Sequence, residues 1–285
     1  MSFRRTAIAA LSLALVTSTA LAQAPYPPPG YPPPPAYAPQ PVLYAPAQLD
    51  SLLAPIALYP DPLLTEILTA STYPYEIDEV AHWRAAPENA ALSDGVLTQA
   101  LLPIDWEPSV KSLAAFPQVL AMLDQHLDWT TALGNAFLAQ QADVMDSIQR
   151  LRHQALAAGT LISSPYETVA MNGPYITIEP ANPQYVYVPV YQPQLVYGAW
   201  PYPAYPPAYF GPPPGLRVGA EVGALGFAVA VPVVTVLWDW GDWDWRHHDV
   251  RIDRDRFNHL DAGHPPTTRT TWQHEPEHRR GVPYR

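Results

Sequence analysis

The chain has 285 residues, 37 of them proline, with a formal charge of −11 and no cysteine. Without cysteine there is no disulfide, no thiolate metal site and no thiol-linked lipid. The acidic balance repels phosphate backbones and anionic bilayers, which argues against nucleic-acid binding and simple electrostatic membrane binding.

The first elements read as export features. Arg4 and Arg5 precede an apolar run from Thr6 to Val16, and Ala20-Leu21-Ala22 supplies small residues before Gln23. This is the layout of a cleaved signal peptide over residues 1–22, and it places the mature chain in the periplasm or cell envelope. Residues 23–47 follow as a proline/tyrosine-rich linker containing PYPPPGYPPPPAYAPQP. Such a composition favours an extended, semi-rigid spacer.

A folded domain is expected over 48–198, helical from 48 to 159 and stranded from 166 to 198. Leu49, Leu52, Leu53 and Ile56 open the helical pattern, with Pro55 shortening the first helix. Asp61 reads as an N-cap before Pro62, and Leu63, Leu64, Ile67 and Leu68 form its stripe. A third helix is predicted over Tyr75 to Ala86, and a fourth capped by Ser93. Pro108 and Pro117 mark the first turns of two more. Asp128 is expected to cap one long helix carrying Trp129, Leu133, Phe137, Val144, Ile148, Leu151 and Ala155, and Gly159 to stop it. Gln140 and Gln141 interrupt that face. Between Gln48 and Gly159 there are 14 acidic residues against Arg84, Lys111, Arg150 and Arg152.

YITIEP and QYVYVPVY alternate with period two and predict short strands, some confined to sheet edges by proline. Residues 199–218 read as a second proline/tyrosine-rich linker without structure. The apolar glycine/valine run 219–237 is short for a membrane span and holds Glu221 and Pro232, so membrane association competes with buried strands. Residues 238–285 form a low-complexity tail with six of the nine histidines. The predicted class is mainly α: a bundle of short helices with one long helix, then a small β segment, flanked by disordered regions.

The strings LLAPIALYPDPLLTEILTASTYPYEIDEVAHW (Leu52 to Trp83), the segment from Asp105 to Arg152, IEPANPQYVYVPVYQPQLVYG (Ile178 to Gly198) and TWQHEPEHRRGVPYR (Thr271 to Arg285) resemble the Domain of Unknown Function 3300 family. The resemblance implies an exported proteobacterial protein with a helical-then-strand domain and a variable tail. It implies no reaction, cofactor or catalytic residue.

Individual motifs point in several directions. His274-Glu275-Pro276-Glu277-His278 matches the zinc-protease pattern H-E-x-x-H, but Pro276 disfavours the helix that pattern needs. His247, His248 and Asp249, near Asp242, Asp244 and Asp253, have the chemistry of a weak metal-handling tail. Trp238, Trp240, Trp243 and Trp245, with Trp272 further on, are the candidate interaction residues. They suit sugar stacking, a membrane interface, or an amphipathic strand packed inward. Asp61, Glu66, Glu76, Asp78, Glu79, Asp105, Glu107 and Asp128 would serve a glycosidase only as a facing pair. Asp61 and Asp128 read instead as caps, and His82 and His126 as structural. No catalytic, metal or cofactor-binding residue is assigned and no small-molecule cofactor is expected. The preferred expectation is a non-enzymatic binding or scaffolding protein with an envelope component as partner. The alternatives are an envelope hydrolase and a metal-handling tail.

Overall fold

The computed structural model describes residues 43–212, 218–222, 224–228, 231–232, 237–238, 240–253, 257 and 269–284. The predicted signal segment and most of the first proline/tyrosine-rich stretch lie outside the described residues.

Prolines set the helix starts. Pro46, Pro74, Pro87, Pro108, Pro117 and Pro193 each occupy the first position of a helix: α1 (Pro46–Leu53), α3 (Pro74–Ala85), α4 (Pro87–Ala90), α6 (Pro108–Leu113), α7 (Pro117–Gln125) and α10 (Pro193–Val196). There the missing N–H costs nothing and the fixed φ suits the helix. Between them come α2 (Asp61–Ala70), α5 (Asp94–Leu101), α8 (Leu127–Ala139) and α9 (Gln141–Ala157). The expected stripes converge: Leu49, Leu53, Leu63, Leu64, Ile67, Ile77, Leu113, Leu120, Phe137, Ile148 and Leu151 are all buried in one core. In α5, Val96 is 64% exposed, and the helix buries only Leu97, Thr98 and Leu101.

The single long helix is replaced by two. Gln140 leaves helical geometry at φ −151° and separates α8 from α9. The cause is remote in sequence. Gln140 Oε1 accepts from the Tyr44 amide at 2.6 Å, and Gln140 Nε2 donates to the Tyr44 carbonyl at 3.0 Å. Gln141 Nε2 donates to the His248 carbonyl at 2.6 Å. The two glutamines thus clasp the segment entering α1 and the later hairpin. Gly159, at φ +72°, ends α9 as expected, and the Thr160 amide reaches back to the Ala155 carbonyl.

Small antiparallel sheets cover the helices. β1 (Glu167–Asn172) pairs with β2 (Tyr175–Pro180), which lies on α9 and α2. β3 (Tyr185–Val186) pairs with β7 (Val231–Pro232), and β4 (Pro189–Tyr191) with β6 (Leu225–Ala228), which also pairs β5 (Val218–Val222). Most of the described part of the apolar run is therefore strand, with Leu225, Phe227, Ala228 and Val231 buried, and Leu237 is buried in a turn. No helix among the described residues is long and apolar enough to cross a membrane.

The tail does not stand apart. β8 (Gly241–Asp244), β9 (Asp249–Asp253) and β10 (Arg269–Thr271) form a sheet in the order β10-β9-β8, and β8 lies on α2. A 3-10 turn over Pro276–Arg279 reaches α3. The described residues of the tail fall in the same compact unit as the helices.

Candidate functional site

Of the readings open for the tryptophans, the structure has the rings packed inward around β8, which lies on α2. Trp238, Trp240, Trp245 and Trp272 are buried and Trp243 is half-buried. Trp240 Nε1 donates to Ser112 Oγ at 2.8 Å, and Trp243 Nε1 to the Asp61 carbonyl at 3.1 Å. Trp243 stacks on Trp245 with centroids 5.0 Å apart, and Trp272 lies 5.8 Å from Phe137. These rings are core; only Trp243 keeps partial access to solvent.

Beneath Trp245 lies a buried ion pair. Arg152, fully buried, pairs with Asp61 at 2.6 Å and donates to the carbonyls of Ala57, Tyr59 and Ile176. Its guanidinium sits 5.2 Å from the Trp245 ring. Asp61 is thus not the N-cap but the first residue of α2, turned inward. Burial pushes its carboxyl up and Arg152 pulls it back down.

Glu167, at the start of β1, is also sealed, and neither oxygen has a hydrogen-bond partner among the described residues. Burial raises its pKa from 4.5 to about 8, against the pull of Arg152. The fold therefore holds the protonated acid. That stabilisation is complete below about pH 4.5 and is lost as pH rises toward 8. Glu167→Gln, neutral at every pH, is expected to melt close to wild type at pH 5 and several degrees above it at pH 8.5. Parallel melting curves across that range would remove the account.

The H-E-x-x-H segment is a docking clip. Pro276 starts a 3-10 turn, not an α-helix. The two histidines flank the ring of Tyr73: His274 stacks on it at 4.9 Å and His278 meets its edge at 6.2 Å. His274 bonds Thr72 Oγ1 and Tyr284 Oη, and burial lowers its pKa to about 4. His278 Nδ1 lies 2.9 Å from Glu76 Oε1. Arg279, buried, donates to the Thr72 carbonyl at 2.7 Å and to Asn135 Oδ1 at 2.6 Å. Glu76 and Glu107 are both fully buried, and burial raises Glu107 to about 7. A carboxylate pair closed to solvent has no room for a glycan.

Among the described residues, the tail histidines do not converge either. His247 pairs with Asp244, which also holds Arg251; Asp242 holds Arg269; His248 reaches Asp146 at 2.9 Å. Asp128 is exposed in the first turn of α8, and His126 stacks at 4.0 Å on Phe210.

That last contact belongs to a feature the composition concealed. The proline/tyrosine-rich stretch after Gly198, expected to be unstructured, is seated on the helices over residues 199–212. Ser51 Oγ donates to the Pro206 carbonyl at 2.5 Å, and the Ala208 amide donates to the Ser51 carbonyl at 3.0 Å. Phe210 packs between His126 and Trp129, whose centroid is 5.0 Å away. Trp200 Nε1 donates to the Tyr205 carbonyl. Beside Phe210 an apolar cleft of about 40 Å³ opens between Pro55, Tyr59, Val119, Met122, Val190 and Tyr209. Gln118 borders it, its buried Oε1 lacking a donor among the described residues. Tyr191 and Tyr197 brace the wall from behind, both hydroxyls donating to the Ala54 carbonyl.

The elements that build this groove, the inward tryptophan hairpin and the start of the clip all fall within residues 45–276, the span that matches the family described as "Protein of unknown function (DUF3300)". The chain belongs to this family. The match extends into the histidine-rich segment, to residue 276. The chain is also similar to the uncharacterized protein YacH of Escherichia coli (strain K12). The two are 35% identical over 302 residues, covering 85% of this chain and 49% of YacH. The chain therefore spans about half the length of that relative. No solved structure matches.

Proposed function

We propose that this DUF3300 chain is a non-enzymatic binding or scaffolding protein of the bacterial cell envelope, exported by residues 1–22, and that its working surface is the aromatic groove at α1, α7 and α8. The observation that carries this reading is the groove's own occupant. Residues 199–212 lie on it through ring contacts and main-chain hydrogen bonds, the means by which aromatic grooves hold proline-rich chains. An extended, low-entropy ligand loses little freedom on binding. Gln118 Oε1 offers such a ligand an acceptor for a phenol or amide donor. The partner class is an extended proline/tyrosine-rich segment of an envelope component.

The test uses the full chain and a peptide with the sequence of residues 25–41. In wild type the tethered segment competes. In Phe210→Ala it is loosened, and the peptide is expected to shift the resonances of Met122 and Trp129 at sub-millimolar concentration, about tenfold tighter than in wild type. If neither protein responds at any peptide concentration, the groove reading is wrong. Recovery of the chain in the cytoplasm with residues 1–22 retained would refute the compartment.

A further inference from the structure

A second cleft, of about 530 Å³, differs in chemistry from the groove: it is acidic, bordered by Asp78, Glu79, Asp105 and His82, with Trp106 as its wall. At its rim α3 presents Asp78 and His82 one helical turn apart, on one face. α7 packs against α3 and brings Asp124 to the same point. One ligand atom from each of the three lies within 4.8 Å of the others.

Two features separate this set from an ordinary solvated acidic surface. The carboxyls of Asp78 and Asp124 are brought together and hydrogen-bonded to each other, with His82 Nδ1 3.5 Å from Asp78 Oδ1. No arginine or lysine pairs with either among the described residues; Arg280, the cation nearest the cleft, is taken by Glu76 and Glu79 at 3.4 and 3.6 Å. The third group is an imidazole and not another carboxylate. It is positioned through Nδ1, which lies 2.8 Å from the Asp78 carbonyl.

We propose that Asp78, His82 and Asp124 form a site for one divalent first-row transition-metal ion. Two carboxylates and an imidazole suit zinc, nickel or manganese. Three ligands are too few for calcium, which takes 6–8 oxygens. His82 is 74% exposed and Asp78 42%, so small rotamer changes close the three groups to metal-ligand distances of about 2.0–2.2 Å. The site is independent of the aromatic groove and of the tail histidines.

Calorimetric titration of the full chain with zinc chloride and nickel chloride decides it. The expected result is one ion per chain in the micromolar range. His82→Ala and Asp124→Asn should each weaken uptake at least ~10-fold, while a double His247→Ala/His248→Ala variant binds as wild type does. Both classes of variant alter exposed or half-exposed groups, and circular dichroism checks that their helices persist. Absence of saturable uptake overturns the site. So does uptake that is lost in the tail variant and kept in the His82 and Asp124 variants.

Discussion

Arg152→Met is expected to destabilise the domain by about 3–5 kcal/mol, the cost of breaking one side of a buried ion pair. The side chain is fully enclosed, and three main-chain carbonyls and Asp61 depend on its donors. Methionine keeps much of the volume and supplies none of them. The carbonyls of Ala57 and Tyr59 belong to the turn between α1 and α2, so the loss loosens that turn from α9 and β2 together. Replacing Asp61 as well, in Arg152→Met/Asp61→Leu, removes the stranded carboxylate and should recover part of the loss, since apolar replacement of both partners of a buried pair is often neutral. Urea unfolding at pH 7 measures all three. A single-variant cost below about 1 kcal/mol would show that Arg152 is far less committed to these partners.

Gly134→Ala should act against helix propensity. In an exposed helix interior the change gains about 1 kcal/mol. Here α8 crosses the corner between α2 and α3 so closely that an added Cβ would sit 2.5 Å from the Ser71 carbonyl carbon and 2.8 Å from the Thr72 nitrogen. Both atoms are main chain, and neither can swing aside. The corner is held further by Arg279 on the Thr72 carbonyl. A net loss of roughly 3 kcal/mol follows from overpacking. It would appear as a melting point lower by about 2–4 °C per kcal/mol. An unchanged or raised melting temperature would mean that the helices separate at little cost.

The helical layer was legible because its signals are local. Prolines at first-turn positions and apolar steps of three and four residues depend on nothing beyond one turn. The break at Gln140 was not legible, since it depends on the main chain of Tyr44, 96 residues away. The tryptophan hairpin was half legible. Its alternation marks an amphipathic strand, but no pattern in the strand tells whether its rings meet water or α2. Arg152 left a signal: it falls four residues after Ile148 and three before Ala155, on the stripe that α9 buries. A cation on an apolar stripe asks for an internal anion. The histidine motif failed as a metal site for the reason its proline gives, yet its role against Tyr73 is set by a contact across 202 residues. The seated segment 199–212 was masked by composition, because proline and tyrosine read alike in a free spacer and in a docked strip. Asp78 and His82 were visible as neighbours on one helix; Asp124 joins them only through the packing of α7.

The arginine clip also bears on how the domain is assembled. The Thr72 carbonyl and its donor on Arg279 are 207 residues apart. Closing so long a loop is entropically costly and places the event late in folding. A chain synthesised from its N-terminus exposes the α2–α3 corner, with oily faces bare, well before the residues that seal it exist. For that interval it is a client for holding factors, and shortened versions that stop before Arg279 should accumulate as aggregates rather than as smaller domains.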